Sequence, residues 1–340
     1  MRTEKKNGML RSGIDLETAS LVPLVALGAE ILFQVLVMAF GLSDAARTWV
    51  IIVGNQIVFF STCLVFTHIK GISLAELTGV KRFPKPYLFP LFALVAILGV
   101  FAFAPLAGLF ASLLGKLGYS YVPQYYVPLD DAGLFVLALF GLSVLPAIGE
   151  ETLMRGVLLS GAKRKSPLFV ISFTALVFAL FHGNLVQLVH QFLLGAMMAY
   201  LVLLTRSIWA SAAVHCVNNA TALVVEYLFA NEMIGSGAYG YFTADFSSGL
   251  TAGAFVGVFL GSIVLLLAVL AFITYLMKCA RTREGTLPAL GVKETVKALL
   301  SDPSAEEETP PANASLRFAP LFLVIVLGVM LIANVLSEVL

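Results

Sequence analysis

Ionisable and carboxamide side chains interrupt three long apolar stretches of this sequence. The first stretch holds Gly149-Glu150-Glu151-Thr152-Leu153-Met154-Arg155-Gly156, the second Phe178-Ala179-Leu180-Phe181-His182, and the third His215-Cys216-Val217-Asn218-Asn219. A fourth stretch carries Glu30 alone. Such groups are costly in hydrocarbon, so their presence there is by default a functional hypothesis. Carboxylate and imidazole together suit proton transfer, metal ligation or a proton relay. The bland alternative is hydrogen-bonding glue between helices. For Glu30, for Glu226 and for His190, which shares a helix face with Gln187, structural pairing or snorkelling is the expectation.

Helical spacing sorts these residues. Glu151 and Arg155, Phe178 and His182, and His215 and Asn219 are each four apart, so each pair shares one helix face. Glu151 precedes Arg155 in the favourable order for an intrahelical ion pair, which makes Glu151 the structural carboxylate. Glu150 projects about 100° away from it around the helix. If the helix through Glu150 continues to Lys163, the rise per residue puts Glu150 roughly 20 Å from Lys163, His182 roughly 24 Å from Ser166 and His215 roughly 14 Å from Arg206. All three would then lie at a similar middle depth, converging on one cavity that water reaches from the cytoplasmic side.

Several chemistries can be weighed against this set. No His-Glu-x-x-His pattern follows His182 or His215, although zinc held by Glu150, His182 and His215 stays open on residue types. An aspartyl mechanism is excluded, because Asp15, Asp44, Asp130, Asp131, Asp245 and Asp302 all fall outside or at the ends of the apolar stretches. Gly141-Leu142-Ser143 carries a serine in a Gly-x-Ser triplet, a pattern common by chance in apolar helices.

The elements that must position these residues are membrane spans. Hydrophobic residues make up 59% of the chain and charged residues 12%, too little polar surface to coat a soluble globule of 340 residues. A bilayer core about 30 Å thick needs roughly 20 apolar residues per helix. Candidate spans run over 20–42, 48–67, 87–114, 132–162, 167–183, 187–205, 208–230, 250–279 and 318–338. Open strands would leave edge groups unsatisfied in lipid and barrel-like alternation is absent, so the expected fold is an all-α polytopic transmembrane helix bundle of about 8–9 helices. Lys and Arg cluster before the first span, after the second, fourth and sixth, and between the eighth and ninth, while the opposite connections hold little beyond Arg47 and Lys116. The positive-inside rule then places the N-terminus in the cytoplasm and the C-terminus outside. The first 19 residues lack the apolar core of a removable signal peptide. Cys63, Cys216 and Cys279 lie in or at the end of apolar spans and imply no disulfide or zinc framework. The net charge of +1 gives no case for nucleic acid. Tyrosines among prolines in 115–131 suggest an interfacial segment, and 231–249 a Gly/Ser/Tyr-rich outer loop. A short amphipathic helix around Val292–Leu300 is expected to lead into a flexible Pro/Glu/Ala-rich stretch over 302–313.

Taken together, Glu-Glu-x-x-x-Arg at 150–155, Phe-x-x-x-His at 178–182 and His-x-x-x-Asn at 215–219 resemble the CPBP family of intramembrane glutamic endopeptidases, which includes the type II CAAX prenyl endopeptidases. Gly149, Gly156, Gln191-Phe192, Gly195 and Ser207-Ile208-Trp209 also look like the family's pattern. The resemblance implies a catalytic core over 131–230; composition and hydropathy flank it with a cytoplasmic segment (1–19), N-terminal helices (20–130), a loop and helix (231–279), a cytoplasmic linker (280–317) and a C-terminal helix (318–340). It implies that Glu150 and His182 activate a water while His215 and Asn219 donate hydrogen bonds to the oxyanion, supported by Glu151, Arg155 and Phe178. No cofactor is implied. The partners would be the bilayer and a peptide or protein substrate, prenylated or membrane-embedded. The location would be the plasma (inner) membrane of a bacterium or the endoplasmic reticulum of a eukaryote. A non-catalytic scaffold or immunity-type protein, and a proton-coupled transporter using the Glu/His relay, remain open; absence of visible repeats counts against the transporter.

Overall fold

In this computed structural model, residues 13–119, 129, 131–285, 292–301 and 314–339 are described. They fold into helices joined by short connections, with no strand among the described residues. Eight helices are long and apolar enough to cross a membrane: α1 (Leu16–Ala39), α2 (Asp44–Lys70), α3 (Leu88–Lys116), α4 (Ala132–Ala162), α6 (Leu188–Thr205), α7 (Ile208–Ala230), α9 (Ala252–Arg283) and α11 (Ala319–Val339). Shorter helices include α5 (Pro167–Phe181), α8 (Ser236–Thr243) and α10 (Val292–Leu300), beside single turns such as Leu74–Leu77. The protein is an integral, multi-pass membrane protein. Exposed Val25, Leu32, Val136, Val264, Leu265 and Ile332 on its outer surface are the side chains such a bundle offers to lipid.

The chain alternates between two ends of the bundle, and hydrogen bonds fix which connections share an end. Ser160 Oγ donates to Leu77 O at 2.8 Å, Ile208 N to Thr78 O at 3.1 Å, and Arg281 to both Leu204 O and Leu299 O at 2.8 Å. These gather the Lys/Arg-rich connections at one end. At the other, Asn231 Nδ2 donates to Leu129 O at 3.2 Å, Tyr241 Oη to Phe101 O at 2.6 Å, and Asn334 Nδ2 to Gly183 O at 3.0 Å. Within the segment read as a linker, α10 docks through buried Thr295, Leu299 and Leu300. The stretch 302–313 and the tyrosines at 121, 125 and 126 lie outside the described residues.

One candidate span falls short of a full crossing. The run 167–183 reads as a crossing helix, yet α5 ends at Phe181 after 15 residues, about 22 Å and short of the bilayer core. Ser166 Oγ caps its start by accepting from Phe169 N, with Pro167 in the first turn. At the other end Gly183 turns the chain at φ +60°, where a Cβ would come within 2.8 Å of Asn334 Nδ2. Glycine alone suits both the left-handed backbone and the close approach. The early stop leaves His182 inside the bundle rather than at its rim.

Candidate active site

α4 is helical throughout but not uniformly α. Wide π-helical turns at Phe140–Val144 and Thr152–Leu158 flank the regular turns that carry Glu150 and Glu151. Such turns shift every residue beyond them around the axis and concentrate at functional sites. The two adjacent glutamates face different partners. Glu151, with no side-chain exposure, accepts from Arg155 Nη1 at 2.8 Å and meets His215 Nδ1 at 2.9 Å. Arg155 also donates to Gly195 O at 3.1 Å and lies over the Phe178 ring at 4.4 Å. Glu150 instead accepts from Gln56 Nε2 at 3.0 Å through Oε1, and its Oε2 lies 3.9 Å from Nε2 of both His182 and His215.

The second nitrogen of each imidazole fixes how the first can act. His182 Nδ1 lies 2.7 Å from Phe178 O. A carbonyl only accepts, so Nδ1 carries the proton and Nε2 presents a lone pair toward Glu150 in the neutral ring. His215 Nδ1 is likewise committed to the Glu151 carboxylate. His215 Nε2 therefore donates only when the ring holds a second proton. Phe178 packs its edge or face on both rings, at 4.7 Å from His182 and 5.8 Å from His215. Three helices thus meet on one aromatic side chain.

Asn219 owes its position to a proline. Pro146 has no N–H to return to the carbonyl four residues earlier, and that carbonyl, Leu142 O, accepts from Asn219 Nδ2 at 2.9 Å. Asn218 Nδ2 in turn donates to Asn219 Oδ1 at 3.3 Å. One N–H of Asn219 remains available for a ligand. Glu150 and His182 keep 15% and 23% side-chain exposure against 3% for His215 and none for Glu151 and Arg155, so a solvent molecule can reach the first pair and not the ion pair.

Sequence reasoning missed Gln56 and Asn55 on α2. Gln56 holds Glu150, while Asn55 donates to Glu30 Oε1 at 2.7 Å, which Gln34 also reaches at 3.1 Å. Glu30 is thus paired, and two adjacent carboxamides in an apolar span were the available signal. Glu226 accepts from Tyr239 Oη at 2.8 Å. Ser143 is buried, and its Oγ has no hydrogen-bond partner among the described residues. A cavity of about 450 Å³ lies between α3, α6, α7 and α8, with Asn218, Asn219, His190 and Gln191 among its lining. It sits at the end away from the Lys/Arg-rich connections, whereas the sequence reading expects access from the cytoplasmic side, the end of those connections. Among the described residues no group of three or more His, Cys, Asp or Glu is disposed to hold a metal ion.

Neither the curated proteins nor the solved structures compared with this chain give a match. Residues 132–221, less than half of the chain and the stretch that holds Glu150, His182, His215 and Asn219, match the family described as type II CAAX prenyl endopeptidase Rce1-like.

Proposed function

We propose that the protein is an intramembrane endopeptidase of the CAAX-processing type, or one acting on a related membrane substrate, in which glutamate and histidine activate the hydrolytic water. The observation that carries this reading is the 3.9 Å spacing from Glu150 Oε2 to Nε2 of both His182 and His215. That gap is too long for a direct hydrogen bond and suited to one bridging water. A water there would point one O–H at Glu150 Oε2 and the other at His182 Nε2, leaving its lone pair free to attack. Glu150 or His182 takes the proton as the C–O bond forms. The carbonyl oxygen becomes an oxyanion that the remaining Asn219 N–H, and His215 Nε2–H in the doubly protonated ring, can stabilise. Collapse breaks the C–N bond, and the proton held by Glu150 or His182 passes to the departing amine.

Arg155 and Glu151 serve as positioning residues here. Glu151 holds His215 by Nδ1, and Arg155 offsets a carboxylate that would otherwise be buried without a counter-charge. The match over 132–221 supports the reading at family level. The test is to incubate purified protein with a prenylated CAAX peptide and, separately, with a solubilised membrane proteome, mapping new termini by mass spectrometry. New termini with the wild-type chain that vanish with Glu150→Gln are expected. Identical patterns with both chains, or none with either, would overturn the proposal.

A further inference from the structure

The cavity beside Asn219 has a charge pattern that selects what can occupy it. Orientation of its carboxamides is set from the α4 carbonyl outward. Leu142 O needs a donor, so Asn219 turns Nδ2 toward it; Asn219 Oδ1 then takes Asn218 Nδ2, which leaves Asn218 Oδ1 as the free end. Asn218 is 3% exposed and its Oδ1 has no partner, nor has the buried Oε1 of Gln191 on the facing wall. At the mouth, exposed Glu226 has a hydrogen bond from Tyr239 Oη, which leaves lone pairs on its carboxylate unused. The small side chains Ala104, Ala107 and Gly108 on α3 make the opposite wall.

No Lys or Arg lines this cavity among its described residues, and the sequence holds none between Arg155 and Lys163 or between Arg206 and Lys278. The described connections at this end carry Asp131, Glu232 and Asp245, and the basic groups beside them are Lys116, exposed at the end of α3, and Arg47, which pairs with Asp44 at 2.9 Å. Those at the other end carry Lys81, Arg82, Lys85, Lys163, Arg164 and Lys165 among others. Unsatisfied buried acceptors and a carboxylate at the mouth call for donors. A free C-terminal carboxylate brings none and would meet Glu226, whereas an ammonium brings three donors and no acceptor.

Resting on the peptidase reading above, we propose that this cavity is the substrate cleft and that it takes a peptide segment carrying a positive charge, delivered from the bundle end opposite the Lys/Arg-rich connections. The cation sits against Glu226, and backbone N–H groups of the segment satisfy Asn218 Oδ1 and Gln191 Oε1. By the positive-inside rule that end faces away from the cytoplasm. The protein then acts on an outward-facing or exported segment rather than on a cytoplasmic carboxyl terminus.

The experiment separates binding from turnover. Full-length Glu150→Gln protein in nanodiscs is titrated with dye-labelled apolar peptides of one sequence. These carry one lysine, norleucine in its place, a free or acetylated N-terminus, and an amidated end or a farnesylated cysteine with a free carboxylate. The lysine or free-amine peptide is expected to bind about tenfold tighter than its neutral counterpart, the acetylated and norleucine arms telling side chain from α-amine. The added variant Glu226→Gln is expected to cut that ratio below about twofold, and salt to weaken it. Equal binding of charged and neutral peptides, a preference that survives Glu226→Gln, tighter binding of the carboxylate-terminated peptide, or no binding of any would overturn the proposal. Turnover of the same peptides by the wild-type chain is read separately. A Glu226-dependent preference without cleavage retires the peptidase reading and keeps the cleft, and cleavage without that preference does the reverse. Sidedness is read in sealed right-side-out vesicles with Ala222→Cys in a chain whose Cys63, Cys216 and Cys279 are replaced by alanine. An impermeant maleimide added outside is expected to label it and to spare Lys165→Cys, and the opposite pattern would overturn the delivery route.

Discussion

Glu150 and Glu151 are neighbours in the chain with opposite surroundings, and their substitutions should separate accordingly. Glu151 has no exposure and links Arg155 to His215. Replacing it by glutamine leaves a guanidinium buried without its counter-charge and lets His215 turn. Glu151→Gln should lower stability by about 3 kcal/mol, read as a fall in melting temperature, and lower turnover with it. An unchanged melting temperature would contradict the ion-pair assignment. Phe178 touches Arg155, His182 and His215 at once. Phe178→Ala should cost about 3 kcal/mol, and Phe178→Leu should recover most of the stability but little of the activity, because only a ring sets both imidazole edges. Equal recovery of both would make Phe178 a space-filler. The Glu151–Arg155 contact was legible as a four-residue spacing within one helix, whereas Gln56 was not, since its partner Glu150 lies 94 positions along the chain and no local pattern reports a tertiary contact.

Two prolines do comparable work at the level of helices. Pro105 cannot donate to Phe101 O, and Tyr241 Oη fills that place, tying α8 to α3 beside the cavity. Pro146 frees Leu142 O for Asn219. Pro146→Ala restores an N–H that competes for this carbonyl and removes a helix breaker. The expected result is a chain as stable as wild type or more so, with kcat lowered about tenfold and KM little changed. Unchanged kcat would show that Asn219 does not depend on the freed carbonyl. Gly149 makes a second such contact, since a Cβ there would lie 2.9 Å from Gln56 O and 3.2 Å from Gln56 Cα. Backbone cannot yield as a side-chain tip does, so Gly149→Ala should push α2 away, loosen the Gln56–Glu150 hydrogen bond and reduce activity more than stability; normal turnover by this variant would contradict that. Most helix ends were legible within a few residues because charges and prolines punctuate apolar runs, as at 132–162 and 208–230. The end of α5 was legible to the same degree, at 183 against Phe181, but its dependence on Asn334 of α11 packing against Gly183 was not, because no local pattern reports that contact. The π-helical turns of α4 also leave no mark in hydropathy.

Across the whole molecule, the charges and the cavity divide the bundle into two unlike ends, with the Glu150–His182–His215 cluster between them. Composition and Lys/Arg placement disclosed the all-α membrane class and the alternation of the chain, while the position of the cavity depends on how α3, α6, α7 and α8 pack and could not be read from any one of them. The cluster offers one carboxylate oxygen to two imidazoles, and the proposed mechanism asks nothing further of it. Turnover should therefore survive chelators within about twofold; stoichiometric zinc in the purified protein, with reversible loss of activity on its removal, would replace the glutamic mechanism by a metallopeptidase one. The most direct test of the central claim is peptide turnover by purified Glu150→Gln, with its melting temperature and peptide affinity measured on the same sample. The account predicts cleavage reduced by at least about a thousandfold with folding and peptide binding retained; a Glu150→Gln protein that still cleaves at the wild-type rate would contradict it.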